Sequence, residues 1–239
     1  MGAIFILLTK LKFLKVLLSV GSMVLAIAGY AMIFGWPFAA GFVGLIFCHE
    51  MGHYIAARQR GLAVSLPMFI PFFGAYITLK DQPHDAEAEA YVAYAGPFVG
   101  SLACFAVYFA SRHYDSRLLL ALAQSGFLIN LFNLIPVSPL DGGRITAVLS
   151  PRVWFIGLPM LAAFWFYHPS PILLVIAILA LPRLMEAWRY DPAAPANAAY
   201  YGVPLAVKIE YTGLYLILVL VLAILTNLLH AELANGLMQ

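Results

Sequence analysis

The 22 residues from Trp36 to Ala57 are apolar enough to cross a bilayer, yet near their end they carry His49, Glu50 and His53 in the pentad HEMGH. An apolar stretch of that length reads as a membrane helix. On a helix, residues four apart share a face, so both imidazoles can reach one metal ion with Glu50 beside them. An ionisable side chain held inside a membrane costs on the order of 2.5–3.5 kcal/mol on insertion scales. Keeping Glu50 there beside two histidines therefore calls for a function or a partner.

The rest of the composition agrees with a membrane setting. Hydrophobic residues make up 64% of the 239 residues and charged ones 10%, against about a quarter charged in a soluble domain. Mean hydropathy is +0.92. The 13 Lys and Arg nearly balance the 11 Asp and Glu, and no basic run is dense enough for a nucleic-acid surface. Partners are thus sought in lipid or beside it. Cys48 and Cys104 lie in apolar segments without CxxC spacing, which supports neither a disulfide framework nor a cysteine zinc site, and both read as small hydrophobes. Trp36, Trp154, Trp165 and Trp188 fall near span ends and read as interfacial anchors.

Bilayer-length apolar segments occur at Val16–Gly35, Trp36–Ala57, Ala90–Ser111, Leu118–Pro136 and Tyr211–Leu229. The first follows Lys10, Lys12 and Lys15 as a signal sequence would. Its length of about 20 residues and the lack of a small-residue cleavage site favour a retained span. Val153–Pro182 is broken by His168, Pro169, Ser170 and Pro171 and reads as two short helices joined by a tight turn. Gly61–Lys80 is apolar but holds Pro67, Pro71 and Gly74 among aromatic and β-branched residues, which suits a short hairpin. Asp191–Pro204 has the Pro and Ala content of a linker. The expected fold is an all-α polytopic membrane protein of about six to seven transmembrane helices, with a short re-entrant β-hairpin-like segment after the second. It is expected to form a single membrane-embedded domain, catalytic if its motifs hold a metal, over 1–239, with a core at 16–144 and C-terminal spans at 153–187 and 211–229.

Charge asymmetry sets an expected orientation. With a cytoplasmic N-terminus, Lys10, Lys12, Lys15, Arg58, Arg60, Lys80, Arg144, Arg152, Arg183, Arg189 and Lys208 lie inside, and only Arg112 and Arg117 face outward. His53 and His49 then sit roughly 7 and 13 Å inside the charged boundary at Arg58, from the helical rise of about 1.5 Å per residue.

Two histidines leave a metal site one protein ligand short. No histidine follows soon after His53, where the chain runs YIAARQRG, and Glu87 and Glu89 lie on a polar connection. Asp141 is the better candidate. It stands in NLIPVSPLDGG, where prolines end the fourth span and Gly142 and Gly143 let the backbone turn sharply. An unwound segment there can dip to meet the histidines where it lines a hydrated cavity.

Taken together, HEMGH, the PFFGAY segment, AYAGPFVG at Ala93–Gly100 and NLIPVSPLDGG at Asn133–Gly143 resemble, in order, the site-2 protease family of intramembrane zinc metalloproteases, the peptidase M50 type. The resemblance covers roughly Gly41 to Arg144. It implies one Zn2+ per chain held by His49, His53 and Asp141, with Glu50 as catalytic base. Asn133 would hold the substrate backbone or the developing oxyanion, and Gly74, Ala75 and Tyr76 would offer a strand edge to an unwound substrate. Zinc held there would lower the pKa of water to about 7, and Glu50 would take the proton and later deliver it to the leaving amine. The implied partners are a transmembrane protein substrate and the lipid bilayer, with no nucleic acid. The implied setting is regulated intramembrane proteolysis in a bacterial or archaeal inner membrane, with the site near the cytoplasmic side. Unlike several family members, the chain is expected to carry no PDZ or CBS domain.

Two other functions compete. A catalytically silent relative that binds membrane proteins would not need Glu50, and a metal transporter would spread its polar ligands over several spans rather than gather them at one end. Among the remaining polar residues, Asn130 reads as an interhelical contact. AYAGPFVG reads as a small-residue packing face, close to the site but not chemical. His84, His113, His168 and His230 fall in connections or at span ends, and none is expected to be a ligand.

Overall fold

The computed structural model describes residues 2–167 and 169–235. His168, expected at the break between the two short helices, lies outside the described residues, as do the side chains of Lys10 and Lys12. The helices are α1 (Gly2–Phe34), α2 (Trp36–Gln59), α3 (Ala86–His113), α4 (Arg117–Asn133), α5 (Asp141–Thr146), α6 (Trp154–Tyr167), α7 (Pro171–Trp188), α8 (Pro195–Tyr201) and α9 (Leu205–Asn235). Strands β1 (Met68–Ile70) and β2 (Gly74–Tyr76) form an antiparallel hairpin between α2 and α3.

Local chemistry sets the breaks. Gly35 adopts φ +81°, a left-handed conformation that glycine takes without a Cβ penalty, and separates α1 from α2. The Asp85 side chain accepts from the Ala88 N–H at 2.8 Å and caps α3, where Glu87 and Glu89 complement the helix dipole.

Among the described residues, four helices are long and apolar enough to cross a membrane: residues Phe13–Phe34 of α1, together with α3, α7 and α9. This is fewer than the sequence led us to expect, for identifiable reasons. At 24 residues α2 is long enough, but His49, Glu50 and His53 dilute its hydropathy, so the residues that make it interesting remove it from the set. The expected span Leu118–Pro136 ends at Asn133, leaving α4 with 17 residues. Val153–Pro182 does divide in two, as α6 and α7, and the expected linker Asp191–Pro204 contains α8.

Helix α2 packs on α1 and α3, α3 on α4, and α4 on α9. Leu45, Ala93, Cys104, Phe127 and Leu222 are the centre of this bundle's core. A second cluster, including Val137, Leu140, Trp154, Leu173 and Ala180, attaches α6 and α7. Glycines allow the tight packing: a Cβ on Gly52 would strike the Ala95 carbonyl of α3, and one on Gly126 would meet the Cys104 thiol and Leu45.

Two sequence expectations need correcting. Trp154 is not an interfacial anchor. It is 6% exposed, against 65% for Trp36 and 79% for Trp188, and its Nε1–H donates to the Gly143 carbonyl at 2.7 Å. Gly142 and Gly143 do not serve a left-handed turn, since the glycines with positive φ among the described residues are Gly35, Gly61 and Gly74. Instead a Cβ on either would collide with the backbone of Leu134 or of Val137 and Ser138, so they let the loop before α5 fold flat on that helix.

The hairpin has one closed edge and one open edge. Ser19 Oγ donates to the Pro67 carbonyl at 2.6 Å, and the Phe69 N–H donates to Ser22 Oγ at 3.1 Å, fastening β1 to α1. Phe69 pairs with Ala75, and its N–H points away from β2. In an antiparallel pair the opposite residue must then also aim its N–H and C=O outward, so those of Ala75 face away from β1.

Candidate metal centre

Three donor atoms converge where α2, α3 and the start of α5 meet. His49 Nε2 lies 3.1 Å from Asp141 Oδ2, His53 Nε2 lies 3.2 Å from the same oxygen, and the two Nε2 atoms are 3.1 Å apart. All three residues are buried, at 5%, 4% and 7% exposure. Glu50, at 6%, is the neighbour of His49 on α2.

The ring orientations follow from their other partners. The Val92 carbonyl of α3 can only accept, so His53 Nδ1 at 2.8 Å carries the proton. On His49, Nδ1 lies 2.7 Å from Asn130 Oδ1. The Asn130 amide nitrogen faces Cys104 Sγ at 3.6 Å, which leaves its oxygen to accept from His49. With both Nδ1 atoms protonated, both Nε2 lone pairs turn toward the Asp141 carboxylate. Three such acceptors repel one another unless a cation lies among them, and two imidazoles with one carboxylate suit zinc with one position left open. The group fits a single metal ion.

Close packing supports this arrangement from α3. A Cβ on Gly96 would overlap the His53 ring, and one on Gly100 would lie 2.6 Å from Asn130 Oδ1. The small residues of AYAGPFVG thus make room for the His53 ring and for Asn130, which holds His49. Asn130, read from sequence as a plain interhelical contact, touches His49 directly. In sequence it is only an amide in an apolar helix; at 2% exposure in the fold, that amide must find a partner.

The other nominated residues lie around this point. Asn133 is the part-buried last residue of α4, about one turn beyond Asn130. Gly74, Ala75 and Tyr76 make up β2. Ala75 packs against a cluster that includes Val43 and Ile46 of α2 and Phe69 of β1. Glu87 and Glu89, on a polar connection in the sequence reading, occupy the first turn of α3 and pair with Arg60 and Arg144.

Apolar helices that bury this donor set beside a glutamate have the makings of a membrane zinc metalloprotease. Residues 37–114 match the model of peptidase family M50. The chain is 28% identical over 139 residues to zinc metalloprotease MJ0392 of Methanocaldococcus jannaschii, covering 56% of this chain and 40% of that protein. It is 30% identical over 155 residues to the probable chloroplastic zinc metalloprotease EGY1 of Arabidopsis thaliana, covering 45% and 28%. It is also 28% identical over 132 residues to the putative zinc metalloprotease Rip3 of Mycobacterium tuberculosis, covering 50% and 33%. The chain therefore spans less than half the length of each of these relatives. The likenesses support the site-2 protease family.

Proposed function

We propose that this protein is an intramembrane zinc endopeptidase that cleaves transmembrane segments of other proteins near their cytoplasmic side. One observation carries the reading. His49, His53 and Asp141 point three lone-pair donors at one place, beside Glu50, inside a bundle of apolar helices.

Zinc at this place supplies Lewis acidity and hydroxide near neutral pH, which lipid otherwise lacks. The protein's own residues do the rest. Glu50 accepts a proton from the attacking water on a carboxylate oxygen and returns it to the leaving amine. Asn133 supports the substrate backbone or the oxygen that gains charge. The outward N–H and C=O of Ala75, with Gly74 and Tyr76 on either side, pair with a stretch of substrate that has left its helix, the strand-addition mode of peptide recognition. Burial among apolar helices keeps the exchange away from bulk water.

We further propose that the chain is one membrane-embedded catalytic domain with six to seven crossings. Its α2 and α4 then span in the company of their neighbours, and its N-terminus is cytoplasmic, as the distribution of Lys and Arg suggests.

The test uses purified protein in liposomes with a single-span substrate. Wild type is expected to hold zinc one to one and to cleave. Glu50→Gln is expected to keep the zinc and lose cleavage by about 100-fold or more, the usual scale of a lost general base. Undiminished cleavage by Glu50→Gln would overturn the proposal.

A further inference from the structure

The Asp141 carboxylate has two oxygens with different surroundings. Oδ2 faces the two imidazoles, while Oδ1 faces Arg144 Nη1 at 3.9 Å, one helical turn further along α5. Arg144 is itself held. Its Nε–H donates to Glu89 Oε1 at 3.3 Å, and the other oxygen of Glu89 accepts from the Tyr200 hydroxyl at 2.7 Å. The line from Asp141 through Arg144 and Glu89 to Tyr200 crosses α5, α3 and α8, joining residues 55 and 111 positions apart.

Each link has a direction. A free carboxylate rotates about its terminal bond and offers either oxygen equally, with a broad torsional preference. A guanidinium on one side removes that equivalence, and its planar fork separates the two contacts, Nε donating to Glu89 while Nη1 faces Asp141 as an ion pair at 3.9 Å. Glu89 in turn keeps both oxygens occupied. The side chains of Arg144 and Glu89 are each 23% exposed. That is enough for water to compete for them, so the Tyr200 hydroxyl matters as the third point that keeps Glu89 turned toward Arg144. The aromatic rings of Tyr190 and Tyr201, 5.3 Å apart, and the bond from Asn197 Nδ2 to the Asp191 carbonyl at 2.7 Å hold α8 where Tyr200 can reach.

We infer that Arg144 is a positioning residue for Asp141, and that Glu89 and Tyr200 hold Arg144 in place, so that α8 clasps the metal centre through three side chains. This rests on the metal-centre reading above. It gives the Asp191–Pro204 segment, which looks like a linker, a part in setting how tightly the metal is held. Groups that orient a ligating carboxylate are commonly worth about 10- to 100-fold in metal affinity.

The test measures zinc affinity by competition with a chelator, and the visible absorption of the Co2+-loaded protein as a readout of ligand geometry. The proteins are wild type, His49→Ala, Arg144→Gln, Tyr200→Phe and the double variant Arg144→Gln/Tyr200→Phe. His49→Ala is expected to lose the metal; if it retains the wild-type affinity, the metal-centre reading fails and the clasp with it. Arg144→Gln is expected to weaken zinc by about 10-fold or more. Tyr200→Phe, which deletes one oxygen, is expected to weaken it by a smaller factor, and both should shift the Co2+ bands. In the double variant, Tyr200→Phe should add nothing to Arg144→Gln. The clasp is overturned if His49→Ala loses zinc while Arg144→Gln stays within two-fold of wild type, or if the two effects simply multiply. Should Arg144→Gln not fold, wild-type affinity and an unshifted Co2+ spectrum in Tyr200→Phe overturn it equally.

Discussion

The amide of Asn130 and the imidazole of His49, 81 positions apart in the chain, meet at 2.7 Å inside the bundle. The contact selects the tautomer of His49 and aims its second nitrogen at Asp141. Asn130→Ala is therefore expected to weaken zinc binding by about 10- to 100-fold. Asn133→Ala should leave zinc affinity at the wild-type level. Chelator competition on the two variants separates them, and equal losses would sink the distinction.

Gly96 leaves the space that the His53 ring fills. Gly96→Val is expected to displace the ring, lowering bound zinc below one per chain and destabilising the fold by about 1–3 kcal/mol, the usual scale of overpacking. Gly44 is the internal control, because a Cβ there meets nothing within 4 Å. Gly44→Ala should be neutral or stabilising by up to about 1 kcal/mol. Thermal unfolding and metal content of both variants decide the matter.

The outward N–H of Ala75 takes no part in pairing β2 with β1, so proline there removes a donor without breaking the hairpin. One backbone hydrogen bond is worth about 0.5–1.5 kcal/mol net. Ala75→Pro is accordingly expected to slow cleavage by roughly three- to ten-fold with zinc content unchanged. Unaltered cleavage would rule out pairing of substrate at this edge.

Trp154→Phe keeps the aromatic volume but removes one donor to the Gly143 carbonyl, which still accepts from the Ala147 N–H at 3.0 Å and Thr146 Oγ1 at 3.3 Å, next to the turn that presents Asp141. A loss of about 0.5–1.5 kcal/mol in stability, the net worth of one hydrogen bond, is expected. An unchanged unfolding temperature would return Trp154 to the role of a simple packing residue.

Metal removal makes a separate prediction. A ligand present at about 100 times its dissociation constant stabilises the folded state by roughly 2.7 kcal/mol. Chelation should therefore lower the unfolding temperature of the wild type, and zinc should restore it. His49→Ala should respond to neither.

HEMGH and Asp141 stood out in the sequence because a helical repeat and a shared depth in the membrane are local properties. The fold brings those three donors together. Asn130 did not stand out, because its partner lies 81 positions away and the sequence around it is that of any apolar helix. Trp154 was misread for a related reason. A tryptophan near a span end is usually interfacial, and only the folded loop shows the Gly143 carbonyl waiting for it. The small residues of AYAGPFVG were correctly read as a packing face, but what they pack against was invisible. Span counting suffered from the opposite error, since the polar site residues that mark α2 as important also lower its apparent fitness for lipid.

That conflict bears on how the protein is made. A helix burdened with two imidazoles and a carboxyl gains little by entering a bilayer unaccompanied. Gly35 is the single residue between α1 and α2, and the two helices pack together. Their one-residue junction and mutual packing make a helical hairpin, in which the strongly apolar α1 lies against its more polar companion. The helix that carries HEMGH is thereby given an apolar partner directly before it in the chain.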